Sequence, residues 1–445
     1  NNGPGNSTRG LCRSRITLHC TVMPSIPMPA AEWAGYPAAR LNPRRERERL
    51  GIIGSKVLAL LGALMLAGCG ERAGTIDATA SKSKAADVPK ISWPMTRGGP
   101  ALSGSVATKL PQQPKIAWTF AASFPVSAEA AITDGRVFVG TGKGMLHCLA
   151  SDSGQPLWQF ETKDAITAAP AVSSTMVYLS SNDSILYALK ADTGAEVWRF
   201  STDEKISSGA TLIKSPDGAS DWVMLNGYDG TTRVLNGADG TVVWTYKTDD
   251  YINGAPAVVD GRFVVFGGCD AQLHVINVKD GTLVHRIPTT AYIPASIGTF
   301  GTMAFCGNYA NQTVAFDVEG GKVAWVYEDR ALPFFSSPAV NERLVLIGSR
   351  DKHLHAIDRK SGENVWKFRT GGRIEGSPIV FEDGVVFGSS DGRLYAADLV
   401  AGNELWQLDL GEPLVASPAY GEQQLIISGD KGTVFSIRSD PAAKR

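Results

Sequence analysis

Three histidines recur in near-identical settings, His147 in "LHCLA", His274 in "LHVIN" and His355 in "LHAID". Imidazoles that converge make a metal site. The settings argue against convergence, because Tyr187 and Tyr395 stand at the same point of two further copies of the pattern. The position belongs to a repeated unit, and equivalent positions of successive units lie apart. A half-buried ring on a strand is the expectation for each histidine, and no metal is assigned. Calcium calls for several converging oxygen ligands, and no single loop gathers Asp, Glu and Asn. The thiols are no more suggestive. Cys148, Cys269 and Cys306 fall in three different copies, and no CxxCH or pair of adjacent cysteines occurs. Cys269 and Cys306 belong to neighbouring units but are three positions out of step, which leaves a bridge between them open.

The repeat itself is the dominant signal. The segments "LASDSGQPLWQF", "LKADTGAEVWRF", "LNGADGTVVWTY", "INVKDGTLVHRI", "FDVEGGKVAWVY", "IDRKSGENVWKF" and "ADLVAGNELWQL" all keep a glycine: Gly154, Gly194, Gly240, Gly281, Gly321, Gly362 and Gly402. Six keep a tryptophan, Trp158, Trp198, Trp244, Trp325, Trp366 and Trp406, and His285 takes its place in the fourth. Trp118 stands upstream without such a turn. The series steps by 40, 40, 46, 41, 40, 41 and 40 residues. Four short alternating runs broken by Gly, Asp, Ser and Asn fill each period, the pattern of a propeller blade. The glycine fits a turn that needs positive φ. The tryptophan suits the gap between neighbouring sheets. After Trp406 three more strand-sized runs follow, and the missing fourth is the orphan around Trp118. Pairing them closes the ring and hides its edges. The expectation is an all-β, eight-bladed propeller of four-stranded blades over residues 92–438, almost free of helix, with a tail at 439–445.

Where each outer strand crosses to the next inner strand, one position is apolar in every copy: Val126, Ile166, Ile206, Ile252, Ile293, Phe334, Ile374 and Leu414. These read as packing. The residues before them, Pro125, Ala165, Lys205, Tyr251, Tyr292, Pro333, Arg373 and Pro413, follow no core pattern. Tyr and Arg are enriched at binding hot spots. Lys205, Tyr251, Tyr292 and Arg373, with Phe335 and Glu375 just past the apolar position, are therefore the candidate partner or ligand face at one mouth of the channel. Ordinary loop residues without a partner are the alternative.

The front of the chain is different. Basic "RRERERLGIIGSK" is followed by the apolar "VLALLGALMLAG" and Cys69, which resembles a bacterial lipoprotein signal peptide over 44–68 ending in its lipobox. Twelve apolar residues are too few to span a bilayer, which takes about twenty. The resemblance implies lipidation of Cys69, and Gly70 in place of Asp implies sorting to the outer membrane. Residues 1–43 fit neither leader nor propeller and read as non-native sequence from a start site placed too early. Residues 69–91, rich in Ala, Ser and Lys, suit a flexible tether. Residues 1–68 hold nine of the 43 Lys and Arg and three of the 44 Asp and Glu, so the remainder carries 34 and 41, a net −7. That balance gives no support for nucleic-acid binding.

The unit A-x-D-x-x-T-G-x-x-x-W resembles the tryptophan-docking motif of the pyrroloquinoline quinone (PQQ) repeat family. Ala356, Asp358, Ser361, Gly362 and Trp366 match with only Ser for Thr, and Ala188, Thr193, Gly194 and Trp198 match with Lys190 at the Asp position. The likeness runs from about Trp93 to Arg438. It implies a quinoprotein-like propeller, most like the BamB-type outer-membrane assembly lipoproteins. The family also contains dehydrogenases that hold PQQ over a calcium ion, and those carry long loops, whereas these blades are nearly minimal apart from "KSPDGASD". The favoured reading is a non-catalytic, lipid-anchored periplasmic scaffold for envelope proteins, with no cofactor. The alternative is a PQQ-dependent dehydrogenase or another small-molecule-binding propeller.

Overall fold

One unit shows how the repeat folds. In the sixth, Ala339–Val340, Leu344–Gly348, His353–Asp358 and Asn364–Arg369 pair antiparallel in that order. The first two strands are wholly buried, and the outer one is buried only at Trp366 and Phe368. The apolar runs therefore face neighbouring sheets on both sides, while the rim strand alternates. The computed structural model describes residues 91–329 and 332–440, and these form eight such four-stranded sheets. Residues 1–43, the expected leader at 44–68, Cys69, the expected tether as far as residue 90 and residues 441–445 of the expected tail lie outside the described residues. The only helical element among those described is the 3-10 turn Thr96–Gly98.

The ring closes as expected. Pro114–Ala121 pairs antiparallel with Thr433–Ser439 and so becomes the outer strand of the eighth sheet. The last strand runs one residue beyond the expected limit of 438. The innermost strand of the first sheet adjoins those of both the second and the eighth.

Each tryptophan docks on the following blade, which is why the glycine and the tryptophan recur together. Trp366 donates its indole N–H to the Leu399 carbonyl at 3.2 Å, and its ring lies where a Cβ on Gly402 would be, 2.5 Å from Cε3. Gly402 has φ +72. The turn thus needs glycine twice, for its left-handed backbone and for the space above it. The same bond recurs from Trp118 to Ser151, Trp158 to Ala191, Trp198 to Gly237, Trp244 to Val278 and Trp325 to Arg359. Trp406 has no such turn ahead of it and uses the carbonyl of Pro111 instead. His285 keeps the interaction, with Nε2 3.2 Å from the Glu319 carbonyl.

A β-bulge aims these rings. In the sixth blade Ala356 pairs with Trp366 and Ile357 with Asn364, so Val365 is the extra residue on the outer strand. Such a residue is left out of the pairing and turned outward. Leu157, Val197, Val243, Val365 and Leu405 occupy this place and are 40–52% exposed. Their exposure follows from the bulge and marks no separate site.

The segment before the first long strand runs along the inner strands. Trp93 bridges Ile132, and the carbonyls of Pro94, Pro100, Ala101, Ser103 and Gly104 accept the N–H groups of Val172, Val258, Thr299, Val340 and Val380. Ile91 binds Glu422 in the same way. This strap ties together the inner strands of seven blades.

The histidines are structural, though deeper than half-buried in two cases: His274 is 1% exposed and His355 0%. His274 Nε2 meets Asp270 at 2.6 Å and His355 Nε2 meets Asp351 at 3.0 Å, while Tyr187 and Tyr395 bond Asp183 and Asp391 in the same way. The carboxylate also caps its own loop, as Asp351 does for the His353 amide. In the first blade Lys143 takes the place of that Asp, and burial lowers the pKa of His147. Cys148, Cys269 and Cys306 are buried thiols, so the bridge left open between Cys269 and Cys306 does not form. Burial pushes the thiols of Cys148 and Cys306 up to about 12, which keeps them unreactive.

Candidate functional site

Each loop from an outer strand to the next inner strand is held at its apolar position. Val126, Ile166, Ile206, Ile252, Ile293, Phe334, Ile374 and Leu414 are all at most 1% exposed, as packing requires. At seven of the eight loops, all but the one at Pro333, the carbonyl of the preceding residue accepts an N–H from the loop between the second and third strands of the next blade. Lys205 binds Tyr228 in this way, Tyr251 binds Cys269, Tyr292 binds Tyr309 and Arg373 binds Ser390. On those seven blades the clamp holds two variable positions side by side.

On the third to sixth blades these pairs build two aromatic clusters. The rings of Tyr228 and Tyr251 stack with centroids 5.1 Å apart, and the Lys205 ammonium sits 4.3 Å from the Tyr228 centroid. Further along, Tyr309 meets Tyr292 at 6.3 Å and Phe335 at 5.1 Å, both edge to face. The Arg350 guanidinium covers Phe335 at 4.2 Å and reaches Glu375 at 3.0 Å. Aromatic pairs and cation–π contacts hold such rings in place, with Tyr228 itself buried and Tyr251, Tyr292 and Phe335 half-buried. Tyr309 remains 40% exposed, and Leu332 beside this loop 49%. Around the rest of the ring the clamped pairs are Pro125 with Gly142, Ala165 with Asn182, Arg373 with Ser390 and Pro413 with Asp430. One side of the loop face is therefore aromatic and the other plain.

The structure thus brings Lys205 and Tyr251 together through Tyr228, and Tyr292, Phe335 and Glu375 together through Tyr309 and Arg350. Arg373 stands apart and exposed, held by Ser390 through its backbone. Tyr228, Tyr309 and Arg350 are absent from the sequence reading. Their signal was available, because the loop between second and third strands varies at the same repeat position through Gly142, Asn182, Tyr228, Cys269, Tyr309, Arg350, Ser390 and Asp430.

The central channel is narrow and largely structural. A cavity of about 180 Å³ is lined by small polar side chains from the inner loops, among them Ser127, Thr167, Ser207, Asn253, Ser296 and Ser417. Several are engaged in closing the ring, since Ser417 Oγ accepts the Ser377 N–H, Ser377 Oγ that of Ser337 and Ser296 Oγ that of Ala255. In the first blade Glu129 stands where the serines do, and it accepts the Trp93 indole N–H and the Arg97 amide of the strap. Burial raises the Glu129 carboxyl to about 7 against the opposing pull of Arg97. The Arg97 side chain, 2% exposed, donates to the carbonyls of Ser377 and Pro378 on the seventh blade. Residues on separate blades are thereby tied across the axis. One carboxylate beside a guanidinium is a poor donor set for calcium, and among the described residues no group of three or more His, Cys, Asp or Glu is placed to hold a metal ion. These residues do not fit a quinone resting on calcium.

Eight four-stranded blades, tryptophan docking between them and a ring closed by the N-terminal strand define a PQQ-repeat propeller. The chain belongs to the family described as outer membrane protein assembly factor BamB, whose model matches residues 103–219, 228–336 and 310–441. BamB from Moraxella catarrhalis superposes with a TM-score of 0.61 at 19% identity, covering 74% of this chain and 98% of that one. The computationally designed Ika8 protein gives 0.64 at 16% identity over 73% and 100% of the two chains. Quinohemoprotein alcohol dehydrogenase from Comamonas testosteroni gives 0.65 at 13% identity over 78% and 80%. Identities this low establish the shared fold alone. No curated protein sequence matches the chain significantly.

Proposed function

We propose that this chain is a non-catalytic scaffold of the cell envelope, tethered to the outer membrane through a lipid on Cys69 and facing the periplasm. There it presents the loops of its third to sixth blades to a protein partner in outer-membrane protein assembly. The observation that carries this reading is the one-sided array of Tyr251, Tyr292, Tyr309 and Phe335, built around the buried Tyr228 and steadied by Lys205 and Arg350. Rigid, partly exposed aromatic and Arg side chains are what protein hot spots use. Membership of the BamB family supports the class of partner.

The second reading, a PQQ-dependent dehydrogenase, draws on the fold shared with quinohemoprotein alcohol dehydrogenase. It is disfavoured by a channel whose one carboxylate anchors the strap. Purified chain supplied with PQQ and calcium is expected to show no dye-linked oxidation of alcohols or sugars. Turnover that requires PQQ would overturn the scaffold reading.

A further inference from the structure

The two aromatic clusters sit in opposite electrostatic surroundings. Around Tyr228 and Tyr251 the loops expose Asp203, Glu204 and Asp249, with Asp250 half-buried, against Lys205, Lys247 and Arg286, whose guanidinium lies 3.6 Å from the largely exposed Asp249. Lys205 is already held over the Tyr228 ring. A cleft of about 250 Å³ opens there between Tyr228, Asp249, Asp250 and Tyr251. At the other end, Lys352 and Arg373 are exposed and Arg350 lies on Phe335. The acids nearby are engaged, Glu375 with Arg350, Asp351 with His355 and Asp391 with Tyr395. One end of the aromatic array is thus acidic and the other basic, on loops that adjoin in blade order.

Building on the docking reading above, we infer that the array receives an extended protein segment of fixed polarity. Its apolar side chains cover Tyr251 and Tyr309, an acidic residue faces Arg350, Lys352 and Arg373, and a basic residue faces Asp249 and Asp250. Aromatic burial supplies the affinity, and the charges at the rim set direction and register. A segment laid the other way would place like charges together at both ends.

The test selects random short peptides displayed on phage against the full chain, with Tyr251→Ala/Tyr309→Ala as a counter-target. The expected winners bear an acidic residue at one end, a basic residue at the other and apolar residues between. Their binding should fall about tenfold on Lys352→Glu/Arg373→Glu and again on Asp249→Lys, as rim charges do when reversed. All three changed residues are exposed, and an unchanged melting temperature confirms that the fold is intact. Selection against Lys352→Glu/Arg373→Glu should then return peptides with a basic residue at both ends. Winners that need Tyr251 and Tyr309 but show no charge pattern, and ignore the reversals, would overturn the polarity while leaving the docking reading standing. Winners indifferent to Tyr251→Ala/Tyr309→Ala would overturn both.

Discussion

The Arg350 guanidinium lies over the Phe335 ring, 4.2 Å from its centroid. The contact joins two neighbouring loops and keeps a large apolar ring at the surface in a single orientation. Arg350→Ala is expected to lower stability by less than about 1 kcal/mol, the scale of a partly exposed cation–π contact or ion pair. Denaturant titration measures this. A loss of several kcal/mol would mean that Arg350 supports the core rather than the proposed docking face.

Trp366 and Gly402 form one unit, so damage to either should register alike. Trp366→Ala should cost about 3 kcal/mol as a buried ring is lost, and Gly402→Ala should cost on the same order because its Cβ meets Trp366 at φ +72. His285→Trp should raise stability, since the smaller ring makes the same bond to Glu319 with less area buried. Equilibrium unfolding of the three variants checks the order. A neutral Gly402→Ala would contradict the docking geometry.

Glu129 gives stability a pH dependence of definite sign. Its carboxyl titrates at about 7 in the fold, raised from 4.5 by burial, so between those values the folded state holds a proton that the unfolded state has lost. Stability contributed by this group therefore falls as pH rises from about 4.5 to 7 and levels off above, by up to about 3 kcal/mol. Glu129→Gln keeps a carbonyl for Trp93 and the Arg97 amide, and should flatten that part of the profile. Unfolding midpoints of both proteins from pH 5 to 8 give the difference, in which the histidines cancel. Parallel profiles would show that Glu129 stays ionised.

Cys69 supplies the thiol on which the proposed anchor depends. Metabolic labelling with a fatty-acid analogue should mark the wild-type chain and leave Cys69→Ala unlabelled. Label on the variant would remove the anchor from the account.

The periodicity of glycine and tryptophan made the propeller, its eight blades and the closing strand at Trp118 readable in the sequence, because each repeat commits the same residue types to the same contact. The apolar position from Val126 to Leu414 was readable for the same reason. The strap was not. Its bonds are main chain to main chain and carry no pattern, and Arg97 and Glu129 act once each. The proposed docking face was half readable: Lys205, Tyr251, Tyr292 and Phe335 lie on loops whose repeat register is plain, but their partners Tyr228, Tyr309 and Arg350 come from a different loop. Only the fold brings the two loops side by side.

The central claim is that the aromatic side of the loop face meets a protein partner. A photo-cross-linking residue at Tyr309, compared with one at Ala165 on the plain side, tests it most directly in intact envelopes. The account predicts a defined product from Tyr309 that contains an outer-membrane assembly protein, absent from Ala165 and lost when Tyr251, Tyr292 and Phe335 are replaced by Ala. Equal labelling from both positions, or a product that survives the triple replacement, would contradict it.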